Sequence, residues 1–244
     1  MKKILLLCSL LIWSAGIMIA QNVRKTYATT KPYTEVKAIG AFKIEYSDKY
    51  AKLTLVAPQS VAQYIKVETI RGEPILRIRY TKNKIELKGE PIPTLYVPRS
   101  VKLREVELDG LAVFNSEQPI TVPHFEISAD GAAKIDCVFD MPDGKLEVDA
   151  DGASVLNMQG EVGTLELDLD GMSTLSSPRD NKQFSFRVHR AECDLSGTSV
   201  VKLHCYEYLE AECDGACVLH YTGTPITDIN TSGMSKVKQV TRPL

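Results

Sequence analysis

The sequence has few aromatic residues and no recognisable catalytic motif. Aromatic residues make up 7% of the chain, with a single tryptophan and only four histidines. No HExxH, GxSxG, P-loop or GxGxxG pattern occurs, so the chain carries no signature of a metallopeptidase, a serine hydrolase or a nucleotide-binding enzyme. The histidine spacing matches no closed zinc motif. These absences predict a protein that is not an enzyme, without a required cofactor.

Cysteines are too few and too scattered to form a disulfide framework. Five of the six lie beyond residue 20, an odd number without any CxxC pair. This pattern favours cysteines that serve as small buried hydrophobic residues. A Cys193–Cys213 disulfide is the alternative, although the two residues occupy repeat positions offset by two.

The first residues are typical of an exported protein. Lys2 and Lys3 precede an apolar run from Ile4 to Ala20, and polar sequence begins at Gln21. A basic head followed by a short apolar core predicts a signal peptide over residues 1–20. An uncleaved membrane anchor is the alternative. We expect a periplasmic, outer-membrane-associated or extracellular protein of a Gram-negative bacterium, with no transmembrane segment after cleavage.

Charge divides the remaining chain into two unlike parts. Residues 21–104 carry 17 Lys and Arg against 7 Asp and Glu, whereas residues 105–244 carry 10 against 24, giving net charges of +10 and −14. The basic part lacks the interleaved aromatic platforms typical of nucleic-acid binding, and export argues against nucleic acid as a partner. We predict a basic N-terminal strand region and cap over 21–104, and acidic β-helix repeats over 105–244.

A glycine recurs about every 20 residues through the acidic part. Asp-Gly or Ser-Gly ends each repeat, at spacings of 21, 21, 19, 26, 18 and 18 residues. The seven glycines are Gly110, Gly131, Gly152, Gly171, Gly197, Gly215 and Gly233. Apolar or small residues stand four and two positions before each glycine and two and four positions after it. The pattern predicts a strand, a glycine corner and a second strand in each repeat.

These repeats predict an all-β fold of one particular kind. Apolar positions that recur at a fixed period are buried when neighbouring repeats stack. We therefore predict a right-handed parallel β-helix, or β-solenoid, with about seven glycine-cornered coils. An irregular strand-rich N-terminal region precedes it and caps its first coil.

Three segments and the repeats together resemble a known family. The segments are Val36–Tyr46, Ile65–Thr69 and Ile75–Tyr80, and the resemblance runs from Pro32 to Val240. They are similar to the head GIN domain family of auto-transporter adhesins. The resemblance implies an all-β fold with parallel β-helix coils, export from Bacteroidetes-like bacteria, and no established activity or catalytic residues.

Acidic residues fill the outward positions of the repeat. Of the 21 positions that lie five, three and one residues before the seven glycines, 17 are Asp or Glu. Strands stacked about 4.8 Å apart would bring these like charges together. Three interpretations stay open: a solvated surface, weak Ca²⁺ sites, or a dock for a basic partner. The calcium candidates are Asp149, Asp151, Asp168 and Asp170.

These features predict an exported, non-enzymatic binding or structural module of the bacterial cell envelope, similar to an adhesin. Its partner would be a protein or a glycan at the envelope, and the opposite charges of the two halves also suit head-to-tail self-association. The alternative is a carbohydrate-active enzyme on a β-helix scaffold, with a groove bordered by the polar loop Ser176–Gln183.

Overall fold

A computed structural model of the chain describes residues 22–29, 32–177 and 184–241. The predicted signal peptide lies outside these residues. Strands make up 63% of the structure and helix is almost absent. Within the described ranges, no helix is long and apolar enough to cross a membrane.

Seven strands and one short helix precede the acidic repeats. They are β1 (Asn22–Thr26), β2 (Glu35–Ile39), β3 (Lys43–Tyr46), β4 (Thr54–Pro58), α1 (Gln59–Ala62), β5 (Ile65–Thr69), β6 (Ile75–Tyr80) and β7 (Thr94–Val97). The repeats contribute eleven more. They are β8 (Glu105–Gly110), β9 (Val113–Ile120), β10 (His124–Gly131), β11 (Lys134–Gly152), β12 (Val155–Gly171), β13 (Thr174–Ser176), β14 (Phe186–Leu195), β15 (Val200–Cys213), β16 (Val218–Thr222), β17 (Ile226–Thr231) and β18 (Lys236–Gln239).

The repeats pair with one another in parallel and in register. One series comprises β2, β8, β10, the C-terminal halves of β11 and β12, β14, the C-terminal half of β15, and β17. We call it the acidic ladder. The second ladder comprises β3, β9, the N-terminal halves of β11 and β12, β13, the N-terminal half of β15, β16 and β18. The glycine period therefore predicted the pairing register.

The predicted β-helix architecture is wrong. The structure has a closed barrel of four parallel strands at its core, with many strands bonded outside it, and not a clear solenoid. The ring closes because β12 pairs with both β13 and β14, and β15 pairs with the same two strands. The long interval between Gly171 and Gly197 splits one repeat into β13 and β14, while β12 and β15 run on without a break.

The apolar columns of the repeat form the interior, as predicted. Alternation puts every second side chain of a strand on the inner face. Thus Val106, Leu108, Ala112 and Phe114 are all fully buried around the first repeat glycine. The last repeat differs, because Ile229 in the same column is 38% exposed. Its strand β17 pairs only with β15 among the described strands, so no further strand covers it.

The basic region joins the same sheet and does not form a separate irregular part. β2 pairs in parallel with β8 on one side and with β6 on the other. β5 pairs with β6, and β4 with β7, in antiparallel fashion, while β1 extends β4. These antiparallel strands cover the N-terminal edge, as a cap requires. The division at residue 104 stays a prediction, and the sheet is continuous across it.

Candidate functional site

The acidic ladder brings the predicted outward carboxylates into straight rows. In one row, Asp149 pairs with Asp168, which pairs with Asp194. Asp194 in turn pairs with Glu212. These side chains point away from the core, because the residues next to them along each strand are buried. Like charges directly opposite one another are unfavourable in a sheet. These carboxylates therefore repel one another, and a bound cation would reduce that repulsion.

The four calcium candidates lie on two adjacent strands, β11 and β12. Asp149 is opposite Asp168, and Asp151 is opposite Asp170. They therefore form two neighbouring pairs. Among the described residues, they are not part of a group of three ligand atoms within 4.8 Å of one another. Calcium prefers six to eight oxygen ligands, so water would have to complete any ion held here, and the calcium site stays a prediction.

Burial and neighbouring carboxylates disfavour ionisation along the ladder. Burial, Asp149 and Asp194 all raise the pKa of Asp168. Burial and the carboxylates of Glu35 and Glu126 raise the pKa of Glu105 to about 7. Glu35 belongs to β2 and Glu126 to β10, the two strands that flank β8. Glu105 is thus partly protonated near neutral pH.

Replacing Glu105 by glutamine should stabilise the protein above neutral pH. The folded state binds the Glu105 proton more tightly than the unfolded state, because its pKa is about 7 instead of 4.5. Stability from this group is therefore greatest at low pH and falls as the pH rises from about 4.5 to about 7. We expect Glu105→Gln to gain on the order of 1 kcal/mol at alkaline pH after solvent screening, and little at acid pH.

Urea unfolding of the parent protein and of Glu105→Gln, below about pH 4.5 and above about pH 7, measures the difference in their free energies of unfolding. The exposed Glu117→Gln variant removes the same charge outside the ladder and should change stability little at either pH. A Glu105→Gln gain that does not depend on pH would contradict the raised pKa.

Basic residues of the N-terminal region lie at the edge of the acidic ladder. Lys37 of β2 is opposite Glu107 of β8 and its ammonium group contacts that carboxylate. Arg77 of β6 lies one strand further out and donates to Glu68 Oε1 at 2.9 Å. The two charge types of the chain therefore meet within one molecule at this edge of the ladder.

One mixed cluster on the ladder was missed by the sequence analysis. The ligand atoms of His124, Glu126 and Glu147 all lie within 4.8 Å of one another. Lys145 competes for the same carboxylate, with its Nζ 2.6 Å from Glu147 Oε1 and 2.6 Å from Glu166 Oε1. The alternation of His124 with Glu126 shows that they share a face, but only the register of β10 with β11 brings Glu147 to them.

A second missed cluster lies around Tyr206 and joins residues of β12, β14 and β15. His189 Nε2 lies 3.1 Å from Glu161 Oε1, and His189 Nδ1 lies 3.4 Å from Glu207 Oε1. The Tyr206 ring lies between two imidazoles, with its centroid 5.2 Å from that of His189 and 4.5 Å from that of His204. Tyr206 itself is 41% exposed. His189, His204 and Tyr206 alternate with buried residues along β14 and β15. That alternation was the sequence signal that could have indicated the cluster.

The cysteines take the structural role that the sequence favours. Cys137, Cys193, Cys205, Cys213 and Cys217 are all buried, and none of them forms a disulfide with another described cysteine. Cys193 is opposite Ala211 and Cys213 is opposite Leu195, so the two are offset along the ladder. The alternative Cys193–Cys213 disulfide is absent from the described residues. Of the predicted loop, 178–183 lie outside the described residues.

Solved structures with the same fold come from related bacterial proteins. A putative adhesin from Bacteroides fragilis NCTC 9343 has a TM-score of 0.75 at 18% identity, over 90% of this chain and 97% of its own. A putative adhesin from Parabacteroides distasonis ATCC 8503 has a TM-score of 0.60 at 15% identity, over 90% and 96%. A putative lipid binding protein from the same strain has a TM-score of 0.59 at 17% identity, over 91% and 98%.

At this level of identity the three structures show a shared fold alone. A search of curated proteins found no match. A family model matches residues 32–225 and is described as "Putative auto-transporter adhesin, head GIN domain". That match spans most of the chain and confirms the resemblance seen in the sequence. The chain therefore belongs to the head GIN domain family of adhesin-like proteins.

Proposed function

We propose that this protein is an exported, non-enzymatic binding module of the bacterial cell envelope that holds a cationic partner on its acidic ladder. The observation that carries the proposal is the in-register row of carboxylates on neighbouring strands, such as Asp149, Asp168 and Asp194. Membership of an adhesin-like family supports binding at the envelope.

The electrostatics of the ladder favour a cation over solvent alone. Burial and like charge raise the pKa values of Asp149 and Asp168. A bound cation would lower them again, because an opposite charge favours the ionised carboxylate. A bound cation therefore relieves repulsion between carboxylates that the folded ladder otherwise retains.

The shape of the ladder suits long basic side chains. Two shallow hollows of about 270 and about 300 Å³ lie along it. Glu147, Asp149, Glu166 and Glu192 are among the residues that line the first hollow. Lysine and arginine side chains have apolar stems and charged heads, so they can cover the strand surface while pairing with the carboxylates.

Binding is a better account of these carboxylates than catalysis. Glycoside hydrolysis needs one acid set apart from its partner by geometry and pKa. Here the acids are repeated members of rows, and equivalent neighbours surround each one. The carbohydrate-active alternative depends on a groove beside residues 176–183, most of which lie outside the described residues, and it stays a hypothesis.

A cationic peptide provides the test of this function. Residues 21–244 should bind a lysine- and arginine-rich peptide with an affinity that falls as salt rises from about 20 to about 300 mM. The variant Asp149→Asn/Asp168→Asn/Asp194→Asn should bind it at least about tenfold more weakly, because each lost charge faces the same partner. Calorimetry measures both affinities.

The matched control changes the same net charge away from the ladder. Glu73→Gln/Glu86→Gln/Glu117→Gln alters three exposed acids and should leave the affinity within about twofold. Equal losses in the two triple variants would show that net charge alone attracts the peptide, which contradicts the proposal. Sedimentation of the chain without peptide tests whether a second copy, through its basic residues 21–104, is itself the partner.

A further inference from the structure

We infer that a second site on this protein binds a neutral sugar ring of a glycan. The site is a hollow of about 500 Å³ beside the Tyr206 cluster. Its lining includes Phe184, His204, Thr222, Thr224, Gln239 and Thr241. None of these side chains carries a fixed charge, unlike those of the hollows on the acidic ladder. The inference goes beyond the proposed cationic partner and uses different residues.

The polar groups of the hollow are already held in place. His204 Nδ1 lies 2.8 Å from Thr222 Oγ1, and Gln239 Nε2 donates to the Gly223 carbonyl at 2.7 Å. Burial first, and then the nearby Arg187 guanidinium, lower the pKa of His204. His204 is therefore a neutral imidazole near neutral pH, and because its Nδ1 pairs with Thr222 Oγ1, it offers a ligand Nε2. Polar groups fixed before binding cost less entropy when a ligand arrives.

Gly223, which lines the hollow, lies close to the backbone of β15. Gly223 has a φ of +93°, and a Cβ there would lie 2.0 Å from the Cys205 carbonyl oxygen. The same Cβ would lie 3.3 Å from His204 Cε1. Any larger residue would therefore push on the histidine that lines the hollow.

An exposed aromatic ring packs against His204, one of the residues that line the hollow. Tyr206 meets the His204 ring edge-on, with the centroids 4.5 Å apart and the planes at 75°. His189 supports the other side of Tyr206 and is itself held by Glu161 and Glu207. The tyrosine is thus fixed between two imidazoles although 41% of it is exposed.

These features match the chemistry of a neutral pyranose. A pyranose has an apolar C–H face and a rim of hydroxyl groups that both donate and accept hydrogen bonds. The face of an aromatic ring carries negative charge density and attracts C–H groups. Threonine hydroxyls, an amide and a neutral imidazole bind hydroxyl groups without requiring ligand charge. Small-ligand sites of this size commonly combine apolar walls with a few placed polar groups.

Nitrogen–proton NMR of residues 21–244 tests the inference with three probes, N,N′-diacetylchitobiose, lactose and maltose. We expect at least one to give saturable shifts confined to the residues around the hollow, with a dissociation constant on the order of 1 mM. Tyr206→Ala should weaken that binding about fivefold or more, whereas Tyr206→Phe keeps the ring and should retain it. Tyr96→Ala removes an outward tyrosine from another hollow and should have no effect.

Two results would overturn the inference. One is the absence of saturable, localised shifts with all three sugars. The other is unchanged affinity in Tyr206→Ala while its spectrum stays that of a folded protein. The cationic peptide should bind Tyr206→Ala as it binds the parent, because the peptide uses the acidic ladder. A failure of sugar binding therefore does not contradict the proposed binding of a cationic partner. A failure of peptide binding likewise does not contradict the sugar site.

Discussion

Gly160→Ala should destabilise this protein by about 3 kcal/mol or more, because two costs add. Gly160 has a φ of +97°, a conformation that a Cβ disfavours. The new Cβ would also lie 1.9 Å from the Phe139 carbonyl oxygen, far inside any contact distance. That oxygen belongs to the backbone of β11, which pairs with β12 at this residue. The strands would have to separate to admit the methyl group.

Thermal unfolding measures the loss as a fall in Tm of about 6 °C or more for a chain of this size. Gly72→Ala separates the two costs. Gly72 has a similar φ of +90°, but nothing lies within 4 Å of its Cβ position, so this variant should lose only about 1–2 kcal/mol. Equal losses in the two variants would mean that the strand contact at Gly160 contributes nothing.

Phe139→Ala should cost about 3–5 kcal/mol, the usual range for a buried phenylalanine. Phe139 is 1% exposed and lies in a row of aromatic rings that crosses the interior. Its centroid is 6.1 Å from that of Phe125 and 6.2 Å from that of Phe186. Removing the ring leaves a cavity that the flanking strands cannot close, because both are fixed by parallel pairing.

Urea unfolding tests this loss as a lower midpoint with an unchanged slope. Phe139→Leu keeps most of the apolar volume and should lose much less. Leu111→Ala removes an apolar side chain that is 63% exposed and should stay within about 0.5 kcal/mol of the parent. A Phe139→Ala loss below about 1 kcal/mol would show that packing in the row of rings contributes little to the stability of the core.

Much of the local structure was predictable because it depends on neighbours along the chain. Alternation of apolar and acidic residues specifies which side chains point inward on each strand. The repeated glycines align the strands, so the pairing of Asp149 with Asp168 followed from spacing alone. The buried role of the cysteines followed in the same way, since Cys193 and Cys213 occupy inward columns.

The candidate sites were less predictable because their residues come from distant parts of the chain. His124 and Glu126 are close in sequence, but Glu147 reaches them only across the pair of β10 and β11. The sugar hollow joins Phe184, His204 and Gln239 from three separate segments. Alternation shows which side chains of one strand share a face, but it does not show which separate segments come together.

The sequence by itself determined the strands, the inward columns, the register of the repeats and the acidic face. Only the tertiary structure decided that the strands close into a four-stranded parallel barrel and that the basic region extends the same sheet. The reason is physical: alternation and glycine conformation are properties of a few adjacent residues. Closure depends on contacts between separate repeats, because it requires β13 and β14 each to pair with both β12 and β15.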